Sequence, residues 1–344
     1  MGNPFVTDAA AGFRRDDAAF GIAWPEAPHR DLGTGSRVPR VFVMKRVLVT
    51  GASGFIGRRV LGPLLDLGYE VHGVSYGRTT SGRLVTVHAA NLLDRGAREA
   101  LIDSVRPTHL LHLAWYAETG AFWTSPLNLS WTAATLELTK YFRERGGERA
   151  AIAGTCAEYD WTHGWCSEIS TPCAPATLYG AAKDATRRVT LAYGTATGLE
   201  VAWGRIFNLY GPDEDPGRLV TSVTRSLLLG QEARTSHGEQ IRDFSHVEDV
   251  ARALVSLLDS EVIGAVNIAS GEPVRIRTVV EILGALTGAS HLLRIGALPA
   301  PTNDPPLLVA DVRRLRDEIG FSPSYRLESG LAAAVEALRA VGAT

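Results

Sequence analysis

Cysteine is scarce in this chain: three residues in 344, and Cys156, Cys166 and Cys173 all fall in one short stretch. An odd count with no leader before it points to reduced thiols, so the expected location is the cytoplasm and no disulfide framework is expected. No His or carboxylate partners stand at ligand spacing around those thiols, so no metal is expected either. Charge of one sign is also lacking. Lys plus Arg total 35 against 37 Asp plus Glu, a formal net charge of -2, which removes the electrostatic case for nucleic acid or an anionic membrane as partner. Every apolar run stops well short of the ~20 residues that span a bilayer, and no basic segment followed by an apolar run opens the chain, so neither a membrane span nor a secretory signal is expected. Lysine occurs only as Lys45, Lys140 and Lys183, which makes a lysine inside a motif informative. What remains is ordinary globular material, 45% hydrophobic and 21% charged, enough for one large α/β domain with a smaller one attached.

Residues 1–43 are rich in Gly, Pro, Ala, Asp and Arg, show no sustained period and are expected to form an irregular N-terminal extension. From Met44 onward the texture changes. Arg46–Thr50 reads as a buried strand, Gly51–Gly57 as a glycine loop, and Val60, Leu61, Leu64 and Leu65 recur at helical spacing before Gly68 ends the helix. Strand-like and helical stretches alternate as far as Ile206: strands at 69–75, 84–89, 109–114, 150–154 and 199–206, helices at 95–105, 127–145 and 178–193. Repeated strand–helix units with short joins imply a Rossmann-type, doubly wound parallel sheet. Residues 44–207 with about 240–270 should form that dinucleotide domain. Residues about 208–239 with 271–344, proline-rich and less regular, should form a substrate lobe over the carboxyl edge of the sheet.

Three glycines, Gly51, Gly54 and Gly57, sit between the first strand and the first helix. There they permit a tight turn and close approach of a pyrophosphate to the helix N-terminus, and Ser53, Phe55 and Ile56 complete the loop. Strand two should end on the residue that reads the adenosine ribose. That residue is Ser75, with Arg78 after it and Arg58 beside the loop. Small polar plus arginine suits a 2′-phosphate, so NADP is preferred and NAD is the alternative. Tyr179 and Lys183 lie four apart at the head of a helix, hence on one face. A lysine ammonium beside a phenol favours tyrosinate and equips Tyr179 as acid or base at a carbonyl or alcohol.

With these residues the chain resembles, from Met44 to about Leu338, an extended short-chain dehydrogenase/reductase of the nucleotide-sugar epimerase/dehydratase family. The resemblance rests on Thr50-Gly-Ala-Ser-Gly-Phe-Ile-Gly57, His112-Leu-Ala114, Asn128, Tyr179-x-x-x-Lys183, Arg205-Ile-Phe-Asn208-x-Tyr-Gly-Pro212 and Arg242-Asp-Phe-x-His-Val-x-Asp249. It implies that Thr155 is the catalytic hydroxyl residue beside Tyr179, and that Lys183 also holds the nicotinamide ribose. It further implies cofactor contacts from Asn91, Leu92, Leu113 and Ala114, and substrate contacts from Trp115, Asn128, Cys156, Tyr179, Asn208, Leu219 and Arg242. The expected partner is a dTDP-, CDP-, UDP- or GDP-linked sugar, and the expected assembly a homodimer.

Departures from the family pattern narrow the reaction. Dehydratases of this type follow the catalytic threonine with Asp-Glu, whereas this chain has Cys156-Ala157, so 4,6-dehydration is not expected. Asn91 stands where the family has an Asp, and Pro301-Thr-Asn-Asp304 lacks a second diphosphate arginine. Trp115, Tyr116, Phe122, Trp123, Trp131, Tyr159, Trp161 and Trp165 should gather near the nicotinamide, where aromatic walls suit a deoxygenated sugar. Glu158 and His163 are candidates for auxiliary acid–base work. Within residues 1–43, Phe5-Val-Thr-Asp8, Phe13-Arg-Arg-Asp-Asp17 and Phe20-Gly-Ile-Ala-Trp24-Pro25 resemble the C-terminal tail of dTDP-4-dehydrorhamnose 3,5-epimerases. The expected activity is therefore NADP-dependent reduction of a nucleotide-linked 4-keto-6-deoxy sugar. A nucleotide-sugar 4-epimerase with tightly held NAD is the alternative, and a non-catalytic dinucleotide-binding redox sensor the alternative of another class.

Overall fold

Short continuous apolar runs become strands when both faces of a parallel sheet are covered. The computed structural model describes residues 44–76, 84–300 and 304–342; Arg78 and the extension 1–43 lie outside these. In chain order the strands are β1 (Arg46–Thr50), β2 (Glu70–Ser75), β3 (Val85–Ala89), β4 (His109–His112), β5 (Arg149–Thr155), β6 (Trp165–Cys166) and β7 (Glu200–Ile206). They continue with β8 (Asn208–Tyr210), β9 (Ala233–Thr235), β10 (Ile241–His246), β11 (Gly264–Ile268), β12 (Pro273–Arg275), β13 (Leu293–Ile295) and β14 (Leu307–Ala310). The helices are α1 (Gly57–Asp66), α2 (Arg95–Val105), α3 (Leu127–Glu144), α4 (Leu178–Thr197), α5 (Leu219–Leu228), α6 (Val247–Asp259), α7 (Ile276–Thr287) and α8 (Leu327–Val341).

Seven strands form one sheet in the order β11-β7-β5-β4-β1-β2-β3, each pair parallel. Alternation along β1 sends Val47 and Val49 to a core shared with α1 and α6. Leu48 goes to the opposite core, where Leu101 and Ile102 of α2 and Leu138 and Phe142 of α3 pack. The chain runs outward from β1 to β3, then returns to the far side of β1 with β4. That reversal opens a crevice at the carboxyl ends of β1 and β4, the place where such sheets bind ligands. Thr50 and His112, the last residues of those two strands, are in register there.

The stretch after Tyr210, expected to be less regular with helices near 217–230, 246–259, 274–288 and 327–341, holds α5–α8 there and contains strands as well. β12, β10, β14 and β6 form a second sheet, with β8 pairing β10, and β9 pairs β13. Most of them are only two to four residues long, too short to display a period of two. Val223 and Leu227 of α5, Val279 and Leu283 of α7, and Leu331 and Val335 of α8 close a core of their own. Among the described residues no helix is long and apolar enough to cross a membrane, and no group of His, Cys, Asp and Glu is arranged to hold a metal ion.

Candidate functional site

The glycine loop is shaped by backbone contacts that exclude side chains. Gly51 has φ +68°, and a Cβ there would lie 3.0 Å from the Ala114 nitrogen. A Cβ on Gly57 would lie 1.9 Å from the Gly51 carbonyl oxygen. Thr50 secures the neighbouring strand end: its Oγ1 accepts from the Leu113 and Ala114 amides at 3.1 and 3.2 Å. That oxygen also lies 2.7 Å from His112 Nδ1, and His112 Nε2 lies 2.9 Å from Thr135 Oγ1. Burial, helped by Lys183, pulls His112 down to about 3. A neutral ring that accepts from Thr50 and donates to Thr135 satisfies all three groups. Helix α1 then starts at Gly57 with neither a side-chain cap nor an acidic first turn; the Arg58 and Arg59 amides bond to the Gly54 and Ile56 carbonyls, and the positive end of the helix stays open to an anion. A cradle that only glycine can line, facing an uncapped helix N-terminus, fits the pyrophosphate of a dinucleotide.

Around this cradle the expected cofactor residues divide. Ser75 is buried at the end of β2 and donates to Ser53 Oγ at 3.0 Å, tying the ribose-reading position to the loop. Arg58 is engaged elsewhere, 3.2 Å from Asp213. Phe55 stacks beneath the Arg59 guanidinium at 5.1 Å, and Ile56 packs against the core at the helix entry. Leu113 and Ala114 bring their backbone to Gly51. The Leu92 side chain is buried beneath α2, so only its backbone can face a ligand. Asn91 accepts from the Leu93 amide at 3.1 Å, shaping its own turn.

Tyr179 and Lys183 share one face of α4, whose Thr177 caps it through the Gly180 amide at 3.1 Å. Burial pushes the Tyr179 phenol above its ordinary value, and a hydrogen bond with Thr155 works the other way. The lysine does not lower it as expected. Its ammonium donates to the Ala153 carbonyl at 2.8 Å and lies 3.9 Å from the Trp115 ring centroid. Burial draws Lys183 itself down to about 7. Thr155, last residue of β5, is held by a capping box: its amide donates to Glu158 Oε1 at 2.9 Å, and its Oγ1 accepts from the Ala157 amide at 3.2 Å.

The aromatic residues gather, though in several groups. Phe122 and Trp123 meet the Tyr179 ring edge-on, with centroids at 4.9 and 5.8 Å, and Trp161 packs against Trp123 at 6.1 Å. Trp115 stacks on Trp131 at 6.2 Å. Tyr159 is buried against Arg205 at 4.3 Å, Trp165 is half exposed, and Tyr116 donates to Glu118 at 2.6 Å. Asn128, expected at the substrate, is fully buried. It accepts from Trp115 Nε1 at 2.8 Å and donates to the Phe122 and Ser125 carbonyls, so it serves the pocket wall from behind. Cys156 keeps its proton, because burial pushes the thiol to about 12. Asn208 donates to the Asp243 carbonyl at 3.2 Å, Leu219 opens α5, and buried Arg242 pairs with Asp304.

Glu158 is no auxiliary acid. Wholly buried, it accepts from the Thr155 amide, from Trp203 Nε1 at 2.8 Å and from Arg205 Nε at 2.8 Å, with Arg187 at 3.6 Å. His163 is exposed on a short turn. Two contacts escaped the sequence reading. Arg218 lies 5.6 Å from the Phe122 centroid and helps lower the Tyr179 phenol, yet it sits in an aperiodic Pro/Asp stretch that carries no signal. The Arg205–Glu158–Arg187 cluster joins three distant segments; Arg205 was visible only as part of a motif.

The sequence profile of the NAD dependent epimerase/dehydratase family matches residues 47–269. The chain is 28% identical over 307 residues to UDP-glucuronic acid decarboxylase 1 of Xenopus tropicalis, covering 83% of this chain and 70% of that protein. It is 28% identical over 240 residues to dTDP-6-deoxy-L-talose 4-dehydrogenase (NAD(+)) of Aggregatibacter actinomycetemcomitans, covering 68% and 88%. Among solved structures it resembles the UDP-glucose 4-epimerase of Thermus thermophilus in complex with NAD, with TM-score 0.76 and 26% identity over 87% of this chain and 100% of that one.

Proposed function

This chain belongs to the NAD dependent epimerase/dehydratase family, and we propose that within it the protein is a 4-ketoreductase acting on a nucleotide-linked 4-keto-6-deoxy sugar. The observation that carries this reading is the supply of protons at the site. Glu158 is spent on Arg205 and Trp203, and Cys156 holds its proton. Among the described residues Tyr179, whose phenol Thr155 and Arg218 both act to lower, is left as the group placed to exchange one. Removal of water across two carbons needs an acid and a base; reduction of one carbonyl needs one proton. A nicotinamide dinucleotide bound at the glycine cradle supplies the hydride. Tyr179 gives its proton to the oxygen at C4, Thr155 donates a hydrogen bond to that oxygen, Lys183 would hold the nicotinamide ribose, and Arg218 helps to favour the tyrosinate left behind. Phe122, Trp123 and Trp161 offer an apolar wall to a 6-methyl group, and Arg242 meets the diphosphate, with Asn208 and Leu219 beside it. One relative is named a dTDP-6-deoxy-L-talose 4-dehydrogenase (NAD(+)), after a nucleotide-linked 6-deoxy sugar. The protein would work as a homodimer.

NADP is the proposed cofactor, because the position that reads the ribose holds Ser75 and no carboxylate. Ser75→Asp sets a carboxylate against Ser53 and against any 2′-phosphate. The ratio of kcat/KM for NADPH to that for NADH should fall at least about tenfold, the scale of one lost charge-assisted contact. A wild-type enzyme that already favours NADH would overturn this assignment.

Epimerisation at C4 uses the same residues and is favoured by the likeness to UDP-glucose 4-epimerase. The two reactions differ in cofactor turnover. With a dTDP-4-keto-6-deoxyhexose in excess, a reductase consumes NADPH in step with product. Conversion of UDP-glucose to UDP-galactose without added cofactor, and no NADPH loss on the keto sugar, would sink the reductase reading.

A further inference from the structure

We infer that Trp115, braced by Asn128, is a positioning residue that seats the Lys183 ammonium and ties it to the wall against which Tyr179 packs. The inference rests on the reading of Lys183 and Tyr179 given above and adds to it the device that holds them. Lys183 is almost wholly buried, and the hydrogen bond it makes, to the Ala153 carbonyl, uses one of three donors. The face of Trp115, 3.9 Å away at its centroid, presents the negative side of a ring quadrupole to the remaining charge.

That ring is not free to move. Trp131 stacks on it, and its Nε1–H is fixed on Asn128 Oδ1. The Asn128 amide nitrogen in turn holds the Phe122 carbonyl at 2.8 Å, and the Phe122 ring meets Tyr179 edge-on. One connected path of contacts therefore runs from the lysine to the tyrosine, outside the helix that carries both. The titratable groups around the ammonium are few. Glu158, after β5, favours the charge; His112, on β4, is neutral; Tyr179 and Asp184 share its helix. From α3 come Trp131 and Thr132, neither of which titrates. Removing the ring takes away an interaction that only the ammonium enjoys, so the lysine must lose its proton at lower pH.

The chain's three lysines make this readable. Protein labelled with 13C at lysine Cε gives one signal for each, and Lys183→Met identifies the one that matters. In the cofactor-free wild type that signal should titrate near the value of about 7 that burial imposes. Trp115→Leu should lower its midpoint by about one pH unit, a tenfold change in proton affinity. Trp115→Phe, which keeps a ring beneath the ammonium, should restore most of it. On the proposed substrate, the kcat loss in Trp115→Leu should grow to about tenfold as pH rises past the wild-type midpoint, while the sugar KM changes less than about twofold. If the Leu variant does not fold, fluorinated tryptophan, which weakens the ring's negative face at unchanged shape, must lower the same midpoint. A midpoint unmoved by these changes, or moved alike by Leu and Phe, overturns the inference. A shifted midpoint in a protein that turns over no nucleotide sugar would instead overturn the proposed reaction and leave Trp115 in its role.

Discussion

Tyr179→Phe is expected to lower turnover by at least about 10²–10⁴-fold, the range attributed to positioned acid–base groups, while dinucleotide affinity stays within about twofold. The phenol oxygen is the only part removed. The ring keeps its edge contacts with Phe122 and Trp123, and helix α4 keeps its Thr177 cap. Nothing in the glycine cradle touches the change. Single-turnover kinetics with NADPH, alongside a fluorescence titration of cofactor binding, separates the two quantities. Near-normal turnover in the variant would remove Tyr179 from the chemistry. An equal loss of cofactor affinity would mean that the ring, and not the proton, had been measured.

Glu158→Ala should produce the largest loss of stability of any single change discussed. The carboxylate is fully buried and accepts hydrogen bonds from Thr155, Trp203 and Arg205. Without it, Arg205 keeps a charge in the interior with only the Cys173 sulfur at 2.9 Å and the face of the Tyr159 ring at 4.3 Å close by, neither of them an anion. Removing one partner of a buried ion pair costs about 3–5 kcal/mol, which for a domain of this size lowers Tm by on the order of 10 °C. Thermal unfolding followed by circular dichroism gives the answer. A variant melting within a degree or two of the wild type would show that the cluster carries little. If Glu158 were instead an acid at the substrate, the variant would lose turnover at room temperature while keeping its melting temperature.

Much of the parallel sheet was legible because its cause is local. Val47, Leu48 and Val49 are all apolar, since both faces of β1 are covered, and an apolar run leading straight into a glycine loop has the signature of such a strand. The helix after the loop shows its period in Val60 and Leu64 and ends at Gly68, which has φ +77°. The short strands β8, β9 and β12–β14 left no such trace. They exist because β10 and one another are there to pair with, a condition that no window of sequence contains.

The site divides along the same line. Gly51, Gly57, Tyr179 and Lys183 were identifiable from the chain alone, because backbone crowding and helical spacing act over a few residues and leave a fixed interval between them. What faces those residues was decided by the tertiary structure. Asn128, expected at the sugar, turned out to hold Trp115 and Phe122; Glu158, a candidate acid, belongs to Arg205; Arg58, a candidate for the ribose phosphate, turned to Asp213. Each of these side chains has the right chemistry for the expected role. Which partner it takes depends on which segments the sheet brings within about 3 Å, and the strand order that does so is set by long-range packing, where sequence distance carries no information.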